Sequence, residues 1–346
     1  MGICEAVNPP TPPTPWTTAP RLPRELQVEV TAACNLRCRM CLVRYAPPVD
    51  RVTGTMSLAD FTALVDSVPG VERITLQGLG EPLLVPHLDD MITLAASRGI
   101  AVGFNTNGTL LTPERAERLV RAGLAWLHVS VDGATPATYE AIRDGSRFER
   151  VRRGVQAIVA ARAAAGGNRP EISLVCVAMR RNHGELPALV RLAADWGVGR
   201  LWVQNLSHSF SDTDPAGGYA EIRSFTAAET LVGAAEAEAS FAAARQAAVG
   251  LGVDLRLPAR DEAPGPRRAG TPGCDWPWRS GYVTRDGALQ PCCMVMGAER
   301  AQFGRLADGP FGDVWHSPAS QEFRARLLSD EPPEVCRGCS SYRGVF

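Results

Sequence analysis

The residues with the most chemistry to offer are ten cysteines, eight of which fall into two groups. Cys34, Cys38 and Cys41 stand within eight residues near the start, and Cys274, Cys292, Cys293, Cys336 and Cys339 near the end, with Cys4 and Cys176 apart. Disulfide frameworks suit small secreted domains. This chain is long, and its first twenty residues hold six prolines rather than a basic start followed by an apolar stretch. Clustered thiols in such a chain point to metal. The spacing Cys34-x3-Cys38-x2-Cys41 supplies three thiolates, one short of a closed tetrahedral zinc site. It is also one short of the four that hold an iron–sulfur cube used for electron storage. A [4Fe–4S] cluster held at three corners keeps one iron open, and substrate chemistry needs such an opening.

The triplet directly follows an apolar β-prone run, Leu26–Val30, the first of six; the others are Arg73–Leu76, Ala101–Phe104, Trp126–Val131, Glu171–Val177 and Leu201–Val203. Helix signals separate them. Ser57 caps a stripe of Leu58, Phe61, Leu64, Val65 and Val68. Thr112-Pro113-Glu114 opens another helix that Gly123 closes. Phe148, Val151, Val155 and Val159 line a third, and Leu186, Leu189, Val190, Leu192 and Ala193 a fourth. Thr226 with Glu229 reads as a capping box before an Ala-rich helix ending near Gly250. Six strand–helix units imply an α/β fold of parallel strands with right-handed crossovers, a partial (β/α)6 TIM-like barrel rather than a closed ring of eight. Its active groups belong at the carboxyl ends of the strands. The expected organisation is a disordered Pro-rich tail (1–24), the barrel (25–257), a breaker-rich linker (258–273) and a small cysteine-bearing module (274–346).

Composition limits the partners. Of 346 residues 45% are hydrophobic and 21% charged, the balance of a globular enzyme. Lys plus Arg (36) nearly cancels Asp plus Glu (37), so no global charge draws the chain to nucleic acid or an anionic membrane. No apolar run approaches the ~20 residues of a membrane span, and a cytoplasmic location is expected.

Three strand ends carry glycines and small hydrogen-bonding residues: Gln77-Gly78-Leu79-Gly80-Glu81-Pro82, Asn105-Thr106-Asn107-Gly108 and Ser130-Val131-Asp132-Gly133. Together with the cysteine triplet they resemble the radical S-adenosylmethionine (SAM) superfamily. The resemblance implies that SAM chelates the open iron and that reductive cleavage yields a 5′-deoxyadenosyl radical. It places Gly78, Leu79, Gly80 and Glu81 at the SAM ammonium, with Leu79 where the family usually has glycine. Asn107 and Ser130 are placed at the ribose and methionine carboxylate, and Arg143 at that carboxylate, which suits a guanidinium fork. Val177 and Met179 either flank adenine or pack in the core. Met40 replaces the usual aromatic before the third cysteine and offers a polarizable thioether in its place.

The later cysteines resemble a SPASM domain or its shorter twitch form, in which Cys274, Cys292, Cys336 and Cys339 ligate a second, auxiliary [4Fe–4S] cluster. Cys293 is the alternative to Cys292, and a four-cysteine zinc site the alternative to the cluster. Arg285-Asp286-Gly287 fits the turn of a hairpin joining Cys274 to Cys292. The chain runs seven residues past Cys339, so ligands for one auxiliary cluster are expected. Cys176 reads as a core thiol, with hydrogen-atom donation as the other role open to it.

The resemblance implies a SAM-cleaving oxidoreductase served by an electron donor such as flavodoxin or ferredoxin. The auxiliary spacing is similar to that of a twitch-bearing dehydrogenase of an aminocyclitol alcohol. Net two-electron oxidation of a small substrate, a sugar or aminocyclitol alcohol, is therefore the first expectation. A peptide maturase that crosslinks or epimerises is the alternative, although only about 25 residues precede the first strand. An electron carrier or zinc-stabilised binding module would leave the strand-end polar groups without purpose. Gln204, Asn205, His208, Trp202 and Arg180 are the candidates to face substrate, and spacing alone assigns no catalytic base.

Overall fold

The apolar runs become parallel strands because most residues in them are buried, as helix-covered sheets require. In the computed structural model, which describes residues 16–45, 54–232, 234–259, 271–295, 297 and 299–346, six of these strands lie side by side in chain order. They are β1 (Glu25–Val28), β2 (Arg73–Leu76), β3 (Ala101–Thr106), β4 (Trp126–Ser130), β5 (Glu171–Val177) and β6 (Arg200–Gln204). All neighbours run parallel, with Val28 level with Leu76 and Leu76 with Phe104. That register brings the loops following the strands to one rim.

The helices start and stop for local reasons. Ser57 accepts the Asp60 N–H at 3.0 Å to open Leu58–Ser67, which buries Phe61, Leu64 and Val65. Thr112 does the same for Pro113–Arg121, with Pro at the first turn. Phe148–Ala164 and Leu186–Asp195 bury the stripes expected of them, save that Val159 and Leu192 are only half-buried. Thr226 and Glu229 do not form a capping box. They lie inside the helix Ala220–Glu229, where Thr226 hydrogen-bonds to carbonyls of Ser209 and Arg223 and Glu229 pairs with Arg181. The Ala-rich helix runs over Ala237–Leu251 and stops at Gly252, whose φ of +65° is the left-handed stop that favours glycine.

The sheet extends beyond the six expected strands at both edges. A short β7 (Asp254–Arg256) adds parallel to β6. On the other side β8 (Ser280–Val283) pairs parallel with β1, Glu25 opposite Ser280 and Val28 opposite Val283. A hairpin then joins β8 to β9 (Ala288–Gln290), with Gly287 at φ +80° in the turn, and β10 (Gly304–Arg305) closes the order. The result is one ten-stranded sheet, β10-β9-β8-β1-β2-β3-β4-β5-β6-β7, a partial barrel. The cysteine-bearing module is therefore continuous with the barrel sheet rather than a separate appendage.

The end of the expected tail is packed against this module. Trp16 meets Trp278 edge-on at 5.5 Å, Trp278 donates to the Thr17 carbonyl at 2.6 Å, and Trp315 donates to that of Arg21 at 3.1 Å. Residues 1–15, and 260–270 of the expected linker, lie outside the described residues. Among the described residues no helix is long and apolar enough to cross a membrane.

Candidate active site

The cysteine loop leaves β1 and is held against the chain that follows β4. Arg37 N–H bonds the Asp144 carbonyl and Arg39 N–H that of Ile142, both at 3.0 Å. Leu36, Cys38, Met40 and Cys41 are buried in a small apolar cluster of their own with Ile142, Val177, Met179 and Leu206, against which Leu79 packs. Val177 and Met179 are thereby placed beside the cysteines. Burial, more than any neighbour, pushes the Cys34 thiol up to about 12 and raises Cys38, where Arg143 opposes the shift. Thiols so desolvated ionise only beside strong positive charge, which the irons of a cluster supply.

A polar frame ties this loop to the strand ends. Asn107 donates to Asn35 Oδ1 at 2.9 Å, and its Nδ2 lies 3.9 Å from Cys34 Sγ. Glu81 is buried and faces β3, accepting from Asn107 N–H at 2.7 Å, Thr106 hydroxyl at 2.7 Å and Leu83 N–H at 3.1 Å. Its side chain fastens two strand-end turns together. A Cβ on Gly80 would meet the carbonyl oxygens of Thr31 at 2.3 Å and Ala33 at 2.6 Å, and one on Gly78 the Glu29 side chain at 2.2 Å, so the turn needs both glycines to sit on the cysteine loop. Arg143 ends the helix Pro136–Ile142, buried, with Nε donating to Asp132 at 2.6 Å and Nη1 3.9 Å from Cys38 Sγ. Burial works against its charge, yet Asp132, Cys38 and Tyr139 together hold its pKa above the ordinary value. Ser130 is half-buried at the last position of β4.

Cys274, Cys292, Cys336 and Cys339 line one small cavity, walled also by Trp276, Pro277, Phe323 and Leu327. Four thiols converging on one apolar cavity are the donor set that closes an iron–sulfur cube. Cys293 is disulfide-bonded, so Cys292 is the free thiol of the pair at this cavity. The Cys336–Cys339 knuckle is sewn to the loop after β6: Ser209 N–H bonds the Gly338 carbonyl at 2.8 Å, Ser340 N–H that of Ser207 at 3.1 Å, and His208 bridges to Cys339.

That stitching reassigns several expected substrate contacts. His208 is buried, with Nε2 2.6 Å from the Val335 carbonyl and Nδ1 accepting the Phe210 N–H at 2.8 Å; burial and Arg300 bring its pKa down to about 4, so it is neutral. Asn205 donates to the carbonyls of Val345 at 2.7 Å and Ala259 at 2.9 Å, and Arg180 pairs with Glu236. These three are braces. Gln204 is buried, and Trp202 lies against His128 at 4.7 Å. Cys176 is buried in the main core beside Asn182, as a core thiol should be.

Sequence reasoning missed Glu29. It is buried at the end of β1 and accepts from Leu79 N–H at 3.1 Å and Tyr282 hydroxyl at 2.9 Å, so one carboxylate joins the glycine turn to the later module. A lone acidic residue inside the apolar run Leu26–Val30 was the available signal.

The family model of the radical SAM superfamily matches residues 28–192, and that of an iron–sulfur cluster-binding domain, SPASM, residues 274–340. A tungsten-containing aldehyde ferredoxin oxidoreductase cofactor-modifying protein of Pyrococcus furiosus is 32% identical over 188 residues, 52% of this chain; the match spans about half of that relative, 51%. A PqqA peptide cyclase of Gluconobacter oxydans is 29% identical over 329 residues, 93% of this chain and 84% of the cyclase. Among solved structures, Streptococcus suis SuiB bound to its precursor peptide SuiA superposes with a TM-score of 0.68 at 14% identity, covering 93% of this chain and 71% of SuiB.

Proposed function

Because this chain belongs to the radical SAM superfamily and carries a SPASM iron–sulfur domain, working with SAM and [4Fe–4S] clusters, we propose that it modifies a peptide. The observation carrying this reading is the nearly full-length similarity to a PqqA peptide cyclase. It favours the peptide maturase over the sugar or aminocyclitol oxidation that cysteine spacing alone suggested.

In this reading Cys34, Cys38 and Cys41 hold the SAM-binding cluster, and Cys274, Cys292, Cys336 and Cys339 the auxiliary one. Bound together, SAM and the reduced first cluster supply hydrogen-atom abstraction. The chain's own groups do the positioning. The turn at Gly78, Leu79 and Gly80 is seated on the cysteine loop to present backbone carbonyls to the SAM ammonium. Arg143, fixed by Asp132, keeps Nη donors beside Cys38 for the methionine carboxylate, and Asn107 and Ser130 stand at the ribose edge. Leu36, Met40, Val177 and Met179 exclude water from that side. Electrons enter from a small donor protein such as flavodoxin or ferredoxin.

The test is anaerobic reconstitution with iron, sulfide, SAM and dithionite, followed by a panel of short peptides and, separately, aminocyclitols. The expected result is 5′-deoxyadenosine formation stimulated by a peptide that loses two hydrogens or, in D2O, gains one deuterium at an epimerised carbon. Stimulation by an aminocyclitol with no response to any peptide would restore the small-molecule reading.

A further inference from the structure

Arg324 is buried at 0% exposure on the helix Pro318–Leu327, and its partners among the described residues are all neutral. Its Nε donates to the Pro277 carbonyl at 2.9 Å, and its Nη1 to the carbonyls of Trp315 at 2.9 Å and Thr18 at 3.0 Å and to Ser320 Oγ at 3.2 Å. Nη2 is buried with no partner among the described residues. The guanidinium lies over the Trp315 ring at 4.3 Å and the Phe303 ring at 5.3 Å. Among the described residues no carboxylate offsets it, and burial alone brings its pKa down to about 10. The buried Arg143, by contrast, has Asp132.

A buried charge without a partner is costly, so an unpaired buried cation asks for an anion nearby. The one at hand lies behind a single wall. Pro277, which Arg324 grips, and Phe323 and Leu327, on the same helix, line the cavity of the four thiols. A cube bound by four thiolates is net negative and gains a further negative charge on reduction. A fixed cation in a low-dielectric wall favours the reduced form, and net charge and burial are the levers that set cluster potentials.

We infer that Arg324 is the counter-cation of the auxiliary cluster and holds its reduction potential up, making that cluster a better electron acceptor. The inference rests on the reading of the four thiols as cluster ligands. Arg324 touches neither cluster nor substrate and acts as a tuning residue through the wall.

The test is an EPR-monitored potentiometric titration of the reconstituted full chain, with the auxiliary signal taken as the one insensitive to SAM. Arg324→Gln is expected to lower the midpoint of that signal and leave the SAM-sensitive midpoint in place. Arg324→Lys should retain most of the original value. Ser320→Asp, which sets a carboxylate beside Nη1 while keeping the arginine, should lower it as Arg324→Gln does. An unmoved midpoint in variants that keep the SAM-insensitive signal would overturn the inference. So would loss of that signal from Arg324→Lys and Ser320→Asp alike, since the arginine would then serve only the fold of the module. Absence of any SAM-insensitive signal from the unsubstituted protein would instead remove the cluster reading, and the inference with it.

Discussion

Arg143 and Cys38 are 105 residues apart in the chain, yet Nη1 of the arginine lies 3.9 Å from the cysteine sulfur. The arginine is aimed by Asp132, which takes its Nε at 2.6 Å and the Val177 N–H at 2.8 Å. One buried carboxylate thus fixes both the cation beside the cysteine loop and the end of β5. Guanidinium, carboxylate and thiol form one unit that joins the chain after β4 to the loop after β1.

Removing the cation from that unit leaves Asp132 charged, enclosed and unpaired, a defect that costs about 3–5 kcal/mol. Arg143→Gln is expected to lose stability of that order in denaturant unfolding of the cluster-free protein, and Arg143→Lys less. A loss under ~1 kcal/mol would show that water reaches Asp132 and that the pair is not a closed one.

Gly80→Ala meets backbone on two sides, the Thr31 and Ala33 carbonyls, and neither can swing away. The turn must lift off the cysteine loop. SAM cleavage should fall by roughly tenfold or more, about 1.4 kcal/mol, while iron at the later cysteines is unchanged. Quantified 5′-deoxyadenosine together with iron content checks this; unaltered cleavage would mean the turn does not meet SAM.

The strands and their polar ends were readable because parallel strands buried on both faces are continuous apolar runs, and breaker residues mark where they stop. β7 escaped because three residues, Asp254–Arg256, are too few to show a pattern, and the flanking helix signal dominates. The hairpin around Gly287 was legible, but not that its first strand, β8, continues the barrel sheet, because pairing with β1 across some 250 residues leaves no local trace. Asn205 and His208 show the limit of reasoning from strand ends: the position attracts polar residues both to face substrate and to satisfy buried carbonyls. Only partners tell these apart. Glu29 was missed for the converse reason, since its donors Leu79 and Tyr282 come from a distant turn and a distant strand.

His128 gives the fold a pH dependence with a definite sign. It is buried, its Nδ1 lies 2.9 Å from Asn105 Oδ1, and burial first, then Arg73 and Arg200, depress its pKa to about 3. The unfolded chain titrates it near the ordinary 6.5. Its contribution to stability is therefore complete above about 6.5 and is lost as pH falls toward 3, at up to ~1.4 kcal/mol per pH unit. In unfolding titrations across that window, His128→Gln should show a slope smaller by about one proton. An unchanged slope would mean that the native imidazole takes up a proton without penalty.

The two cysteine groups should separate on mutation if they do different work. Cys38 lies in the apolar cluster beside Met40 and Leu79, within reach of Arg143 and far in sequence from the second cavity. With Cys34, Cys38 and Cys41 as the proposed ligands, Cys38→Ala would remove one of three grips on the first cluster, so SAM cleavage should fall to background even with excess dithionite, while iron at the second site persists. Cys336→Ala opens a corner of the auxiliary site but leaves the cysteine loop, the Gly80 turn and the Asp132–Arg143 pair intact. Some 5′-deoxyadenosine should still form from SAM, with no conversion of the true substrate, because the electron left on the substrate carbon has lost its acceptor. Liquid chromatography of the nucleoside beside mass spectrometry of the substrate reads both outcomes. If Cys336→Ala abolishes both activities while its first cluster remains fully loaded, the knuckle sewn to His208 and Ser209 serves to shape the barrel mouth rather than to carry electrons.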